Sequence, residues 1–201
     1  MRRVWLSMTV GLLSACMNVT ESRHVSWALP QSMYPNDTQV RWYDVEGDSE
    51  QVLRTNLDAL GPEDSKGDRH DAYTSWYVTW RFPFSRTDEG CSTGPVTTDV
   101  RVVMTLPRWR GPADEKLPLV QKWRRYLDSL VEHESGHRDT GFRAATEITD
   151  TLPGLPAQPT CEEAEARANE AARAVLERFR AHDVNYDDET HHGATQGAVF
   201  P

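Results

Sequence analysis

Hydrophobic positions along this chain change period several times, and each change marks an element. Val40 to Val45 (VRWYDV) is a cluster of apolar and aromatic residues that predicts a short strand. It ends at Gly47-Asp48-Ser49, a turn that also supplies a helix cap. A helix over about 49–60 follows, with Val52, Leu53, Leu57 and Leu60 at helical spacing, stopped by Gly61-Pro62. A charged loop spans 61–71. Alternation then takes over. From Tyr73 to Phe84 one face holds Thr74, Trp76, Val78, Trp80, Phe82 and Phe84, and the other holds Ser75, Tyr77, Thr79 and Arg81. A polar loop, 85–94, leads to a second alternating run, Val96 to Leu106, so the pair predicts an antiparallel hairpin. Pro107 to Pro112 is a connector. The helical period returns from Pro118, which suits a first helical turn, to about Asp150. After Pro153, Pro156 and Pro159, the segment Thr160-Cys161-Glu162-Glu163 has the form of a capping box. It opens a last helix, about 161–182, with a small-residue stripe of Ala164, Ala168 and Ala172 that predicts close packing on another helix. Residues 183–201 show no period. The expected fold class is α+β, with a small antiparallel sheet packed on one long helix and a second C-terminal helix.

The first 39 residues stand apart from this pattern. Met1-Arg2-Arg3 is a basic start, and Val4 to Ser14 is a mostly apolar, uncharged run too short to span a membrane. The run ends Leu13-Ser14-Ala15-Cys16, which is similar to a bacterial lipobox. The expected organisation is a leader over 1–15, a tether over 16–39 that begins at a lipidated Cys16, and one domain over 40–201. Such a protein is exported to the bacterial cell envelope and held to the membrane by its lipid. The formal net charge of -9, with no basic stripe, argues against nucleic acid as a partner. With Cys16 lipidated, Cys91 and Cys161 remain, an even number in an oxidising compartment, and a bridge between them is expected.

The candidate chemistry lies on the long helix. His133-Glu134-Ser135-Gly136-His137 matches H-E-x-x-H. A spacing of four sets both imidazoles on one helix face, one turn apart, as two ligands of one zinc ion require. Glu134 projects about 100° round from His133 and is placed to act as a general base on water rather than as a ligand. Tyr126, Leu130, His133, His137, Gly141, Ala144 and Ile148 recur at steps of three and four, so both histidines fall on the inward stripe. Two core histidines satisfied by hydrogen bonds are the plainer alternative.

Trp123, the HESGH segment and the terminal run Tyr186-Asp187-Asp188-Glu189-Thr190-His191-His192-Gly193-Ala194-Thr195-Gln196-Gly197-Ala198 resemble the bacterial domain of unknown function 922 family, described as predicted secreted zinc-dependent proteases. The order of strands and the two cysteines agree. The likeness covers about residues 40–201. It implies a zincin-like fold and a peptidase-type site on the H-E-x-x-H helix.

The third ligand is open. Thr140 and Arg143 stand where an extended H-E-x-x-H-x-x-G-x-x-H pattern would need Gly and His. His192, followed by Gly193, matches the family's His-Gly pair and is the preferred third ligand. Glu162, Glu165, His191 and Asp187 are the alternatives, with Asp187 also a candidate to orient a ligand histidine from behind. Tyr186 is a candidate hydrogen-bond donor to a tetrahedral oxyanion, or else a packing residue. The expected function is hydrolysis of a peptide or protein substrate, with Zn2+ as cofactor and Glu134 as base. Two rivals remain: a zinc amidase acting on cell-wall peptides, and a non-catalytic envelope lipoprotein in which zinc is structural.

Overall fold

The computed structural model describes residues 24–28 and 38–201. The leader, Cys16 and most of the expected tether lie outside the described residues. In chain order the elements are β1 (His24–Trp27), β2 (Thr38–Glu46), α1 (Glu50–Leu60), β3 (Tyr73–Arg81), β4 (Phe84–Thr87), β5 (Gly90–Thr93), β6 (Thr97–Pro112), α2 (Pro118–Thr151) and α3 (Cys161–Thr190). The architecture is α+β.

The sheet is built on β6. β3 pairs with its first part antiparallel, from Arg81↔Thr97 to Tyr73↔Thr105. β1 pairs with its last four residues, also antiparallel. β2 covers the opposite side, parallel, from Thr38↔Val102 to Glu46↔Arg110. The sheet is therefore mixed, which corrects the all-antiparallel expectation. The run Pro107–Pro112, expected as a connector, is the continuation of β6. Pro107 cannot donate to a ladder. It is tolerated because it falls in the gap between the last pair with β3, at Thr105, and the first with β1, at Trp109. Part of the expected tether, His24–Trp27, is itself a strand. The expected polar loop 85–94 holds the small hairpin β4–β5.

Alternation on β3 holds from Thr74 to Thr79, with Thr74, Trp76 and Val78 buried and Tyr77 and Thr79 exposed, but the strand stops at Arg81 before Pro83, and Phe84, expected on the buried face, is 43% exposed at the start of β4. Two apolar clusters fill the space between sheet and helices. One gathers Val45, Leu53, Leu57, Met104, Leu106 and Trp109 around Trp123 and Tyr126 of α2. The other joins Trp76, Val78 and Val102 to Ala144 and Ile148 of α2 and to Ala168, Ala172 and Val175 of α3. The alanine stripe thus lets α3 lie close on α2. Thr160 caps α3 with the reciprocal bonds of a capping box, Glu163 N–H to Thr160 Oγ1 and Thr160 N–H to the Glu163 carboxylate, both 3.2 Å.

A disulfide joins Cys91 on β5 to Cys161 in the first turn of α3, with Cα atoms 5.0 Å apart. The loop after α1 is held from below. Tyr43 Oη donates to the Asp71 carbonyl at 2.6 Å, Tyr126 Oη donates to the Asp71 carboxylate at 2.7 Å, and Arg54 grips the same carboxylate. Among the described residues no helix is long and apolar enough to cross a membrane.

Candidate metal centre

α2 brings His133, Glu134 and His137 into the interior, at 3%, 3% and 8% exposure. The rings of His133 and His137 stand 5.0 Å apart, edge to face. The glycine in HESGH has a local reason. A Cβ on Gly136 would lie 2.5 Å from Tyr186 Oη, so only glycine lets that ring reach the helix.

α3 supplies the third group. It runs antiparallel to α2, so His137 meets Asp183 and His133 meets Asp187 one turn further along. The expected end of this helix, near 182, is corrected to Thr190. Asp183, Tyr186, Asp187 and Thr190 continue the helical face beyond Phe179 in polar residues, and a reading based on apolar period loses the helix there. Asp187 Oδ1 lies 3.2 Å from His133 Nε2 and 3.0 Å from His137 Nε2. One nitrogen from each imidazole and one carboxylate oxygen of Asp187 all fall within 4.8 Å of one another. The trio is one that could hold a metal ion, and its two Asp187 distances are close to the roughly 3.3 Å at which tetrahedral ligands at about 2.0–2.2 Å stand apart.

His192, the preferred third ligand on sequence, is outside this trio. Its imidazole is 62% exposed, and its Nδ1 lies 3.6 Å from Asp187 Oδ1. His191 is exposed at the helix end. Glu162 and Glu165 are exposed in the first turns of α3, more than 20 residues from Asp187, which along a helix is roughly 30 Å.

Both histidines are gripped from behind. His137 Nδ1 faces Asp183 Oδ1 at 3.2 Å, and Asp183 Oδ2 accepts the Trp76 indole N–H at 2.6 Å. His133 Nδ1 faces Gln196 Oε1 at 2.9 Å. Gln196 Nε2 donates to Tyr186 Oη at 3.0 Å, and Tyr186 Oη donates to the His133 carbonyl at 3.3 Å. The Tyr186 ring stacks on His133, 10° from parallel. Its hydroxyl is therefore committed to the helix backbone and Gln196, and Tyr186 is not among the residues lining the cleft. Asp183 and Gln196 escaped the sequence reading. The one available signal was the step of four from Asp183 to Asp187, which repeats that of the two histidines.

The trio borders a cleft of about 950 Å3 between the 64–77 segment and α3. Glu134 lines it, and its Oε2 is sealed from solvent. Burial pushes its carboxyl above the ordinary value, against the pull of His137. The Thr74 hydroxyl, itself buried, is the hydrogen-bonding neighbour of this carboxyl and adds to that pull. Burial alone would lower the His137 pKa and raise that of Asp187. Their mutual bonds win. Asp183 and Asp187 push His137 up to about 10, and the two histidines hold Asp187 well below the usual carboxylate range.

The sequence model of a family described as bacterial proteins of unknown function (DUF922) matches residues 40–193. The chain belongs to that family. The DUF922 match takes in both histidines, Glu134, Asp187 and His192, and stops short of Gln196. No curated protein and no solved structure matches the chain.

Proposed function

We propose that the protein is a zinc-dependent peptidase with a zincin-like arrangement, in which His133, His137 and Asp187 hold the ion and Glu134 is the general base. The observation that carries this is the buried Glu134 carboxyl beside a trio of two imidazoles and a carboxylate, at the wall of a cleft. Zinc bound there supplies a Lewis acid that polarises a carbonyl and brings the pKa of water towards about 7. Glu134 then takes a proton at its carboxylate and delivers it to the leaving amine. Its dry setting, which raises its proton affinity, suits both halves of that task. Asp183 and Gln196 keep the two imidazoles turned with Nε2 towards Asp187. The cleft admits a peptide segment. The exported setting fits the Cys91–Cys161 bridge, which forms in oxidising compartments.

A purely structural zinc would be closed by four protein ligands. Neither His191 nor His192 belongs to the trio, and the trio borders the cleft, which favours the enzyme. The test is metal analysis with peptide-library digestion, on wild type and Glu134→Gln. One zinc per chain is expected in both, with hydrolysis slower by about 10²–10⁴-fold in the variant. Cleavage confined to cell-wall peptides would make the protein an amidase of that substrate. Full zinc in a wild type that cuts nothing would replace the peptidase by the structural site.

A further inference from the structure

The last eleven residues turn back after α3 and run under the metal centre. Their path is costly. His191 and His192 are both left-handed, at φ 50° and 52°, a conformation that side chains with a Cβ seldom adopt, least of all twice in succession. Something must hold the segment there. Phe200 does so at its far end: it is 2% exposed, packed on the rings of Trp123 and Tyr126 at 5.5 and 5.2 Å between centroids. Ala198 is buried beside it, and Ala198 N–H donates to the Gly193 carbonyl at 3.0 Å. Gly193 lies directly against His133, where a Cβ would stand 2.9 Å from the ring.

Between those two anchors sits Gln196, and its bonds form a closed circuit on His133. The circuit can run in one direction only if His133 is to keep Nε2 unprotonated. Nδ1–H then donates to Gln196 Oε1, the Gln196 amide donates to Tyr186 Oη, and Tyr186 donates to the His133 carbonyl. Each donor in the circuit has an acceptor, and the Nε2 lone pair faces Asp187. His137 is held differently, by a carboxylate on the neighbouring helix.

We infer that Gln196 is a positioning residue for the metal centre, and that the C-terminal segment is a clamp which orients His133 only while Phe200 is seated in the core. The inference rests on the zinc reading above. It adds that the site's affinity is set by a segment contributing no ligand.

The experiment is competition for zinc between the purified full-length protein and a chromophoric chelator, with thermal melting of each metal-free variant alongside. Gln196→Ala should weaken zinc binding by about 10–100-fold, the usual worth of a partner behind a ligand histidine. Gln196→Glu restores an acceptor for Nδ1–H and should bind zinc at least as tightly as wild type. Deleting residues 197–201 keeps Gln196 but removes Phe200, and should weaken zinc as Gln196→Ala does. Equal losses in Gln196→Ala and Gln196→Glu would mean the residue only packs, and would overturn the inference. Unchanged affinity in Gln196→Ala would also overturn it, and because that variant removes only an amide, it stays informative even if the deletion fails to fold. A wild type that binds no zinc would bring down the zinc reading itself, a different result from zinc that binds but ignores Gln196.

Discussion

The two ends of α3 are held by different physics. From Cys161 to Leu176 its inner face is small and apolar: Ala164, Ala168, Ala172, Val175 and Leu176 are buried, and a disulfide ties the first turn to β5. From Asp183 to Thr190 the inner face is polar. Asp183, Tyr186, Asp187 and Thr190 are half-buried, and each hydrogen-bonds to α2, to the tail or to β3's Trp76. The first end depends on area removed from water and on a covalent tie. The second depends on pairing buried polar groups, and such groups are stabilising only while every partner is in place. Stability and the proposed metal chemistry are thereby separated along one helix.

That separation can be broken in three ways, taken from the largest effect down. Removing the bridge in a Cys91→Ser/Cys161→Ser variant should cost about 4 kcal/mol by the chain-entropy argument for a loop of about 70 residues. Denaturant melts would measure it, while zinc per folded chain should stay at one. Zinc lost from chains that remain folded would show that the two ends are not separate. Asp187→Asn, nearly the same shape, should leave the apolar end intact yet weaken zinc by at least about 100-fold, since even a partner behind a ligand is worth 10–100-fold. His192→Ala should do much less. The reverse order, measured by chelator competition, would return the third ligand to His192.

The smallest effect is that of pH on the metal-free protein. His137 is raised from 6.5 to about 10 in the folded chain. Its contribution is therefore complete below pH 6.5 and fades as pH rises towards 10. Asp187 is lowered, so its contribution is complete above the ordinary carboxylate value and fades only in stronger acid. Chelator-treated protein should be less stable to denaturant at pH 9 than at pH 6. Zinc affinity should move the opposite way, because the metal must displace the His137 proton. Asp183→Asn should flatten the stability profile, and a profile that stays as steep would remove the pairing from the explanation.

Local patterns in the sequence determined most of the frame. Alternation in Tyr73–Arg81, the stripe from Tyr126 to Ile148, the Thr160 capping box and the Cys91–Cys161 pairing are all decided within one or two turns or by simple counting, and all four stand in the structure. His133, Glu134 and His137 were legible for the same reason: four residues of helix suffice to put two imidazoles together. What crosses the chain was not legible. The parallel pairing of β2 with β6 depends on how α1 returns the chain. The passage of a strand through Pro107 depends on a gap between two other strands. Asp187 stood in the sequence only as one of four alternatives to His192, and it joins the histidines because the alanine stripe brings two antiparallel helices close enough for their polar ends to meet. Gln196 reaches His133 only because Phe200, four residues on, is seated against Trp123. A polar residue has no period of its own to announce a partner more than 40 positions away, and the tertiary packing alone made that choice.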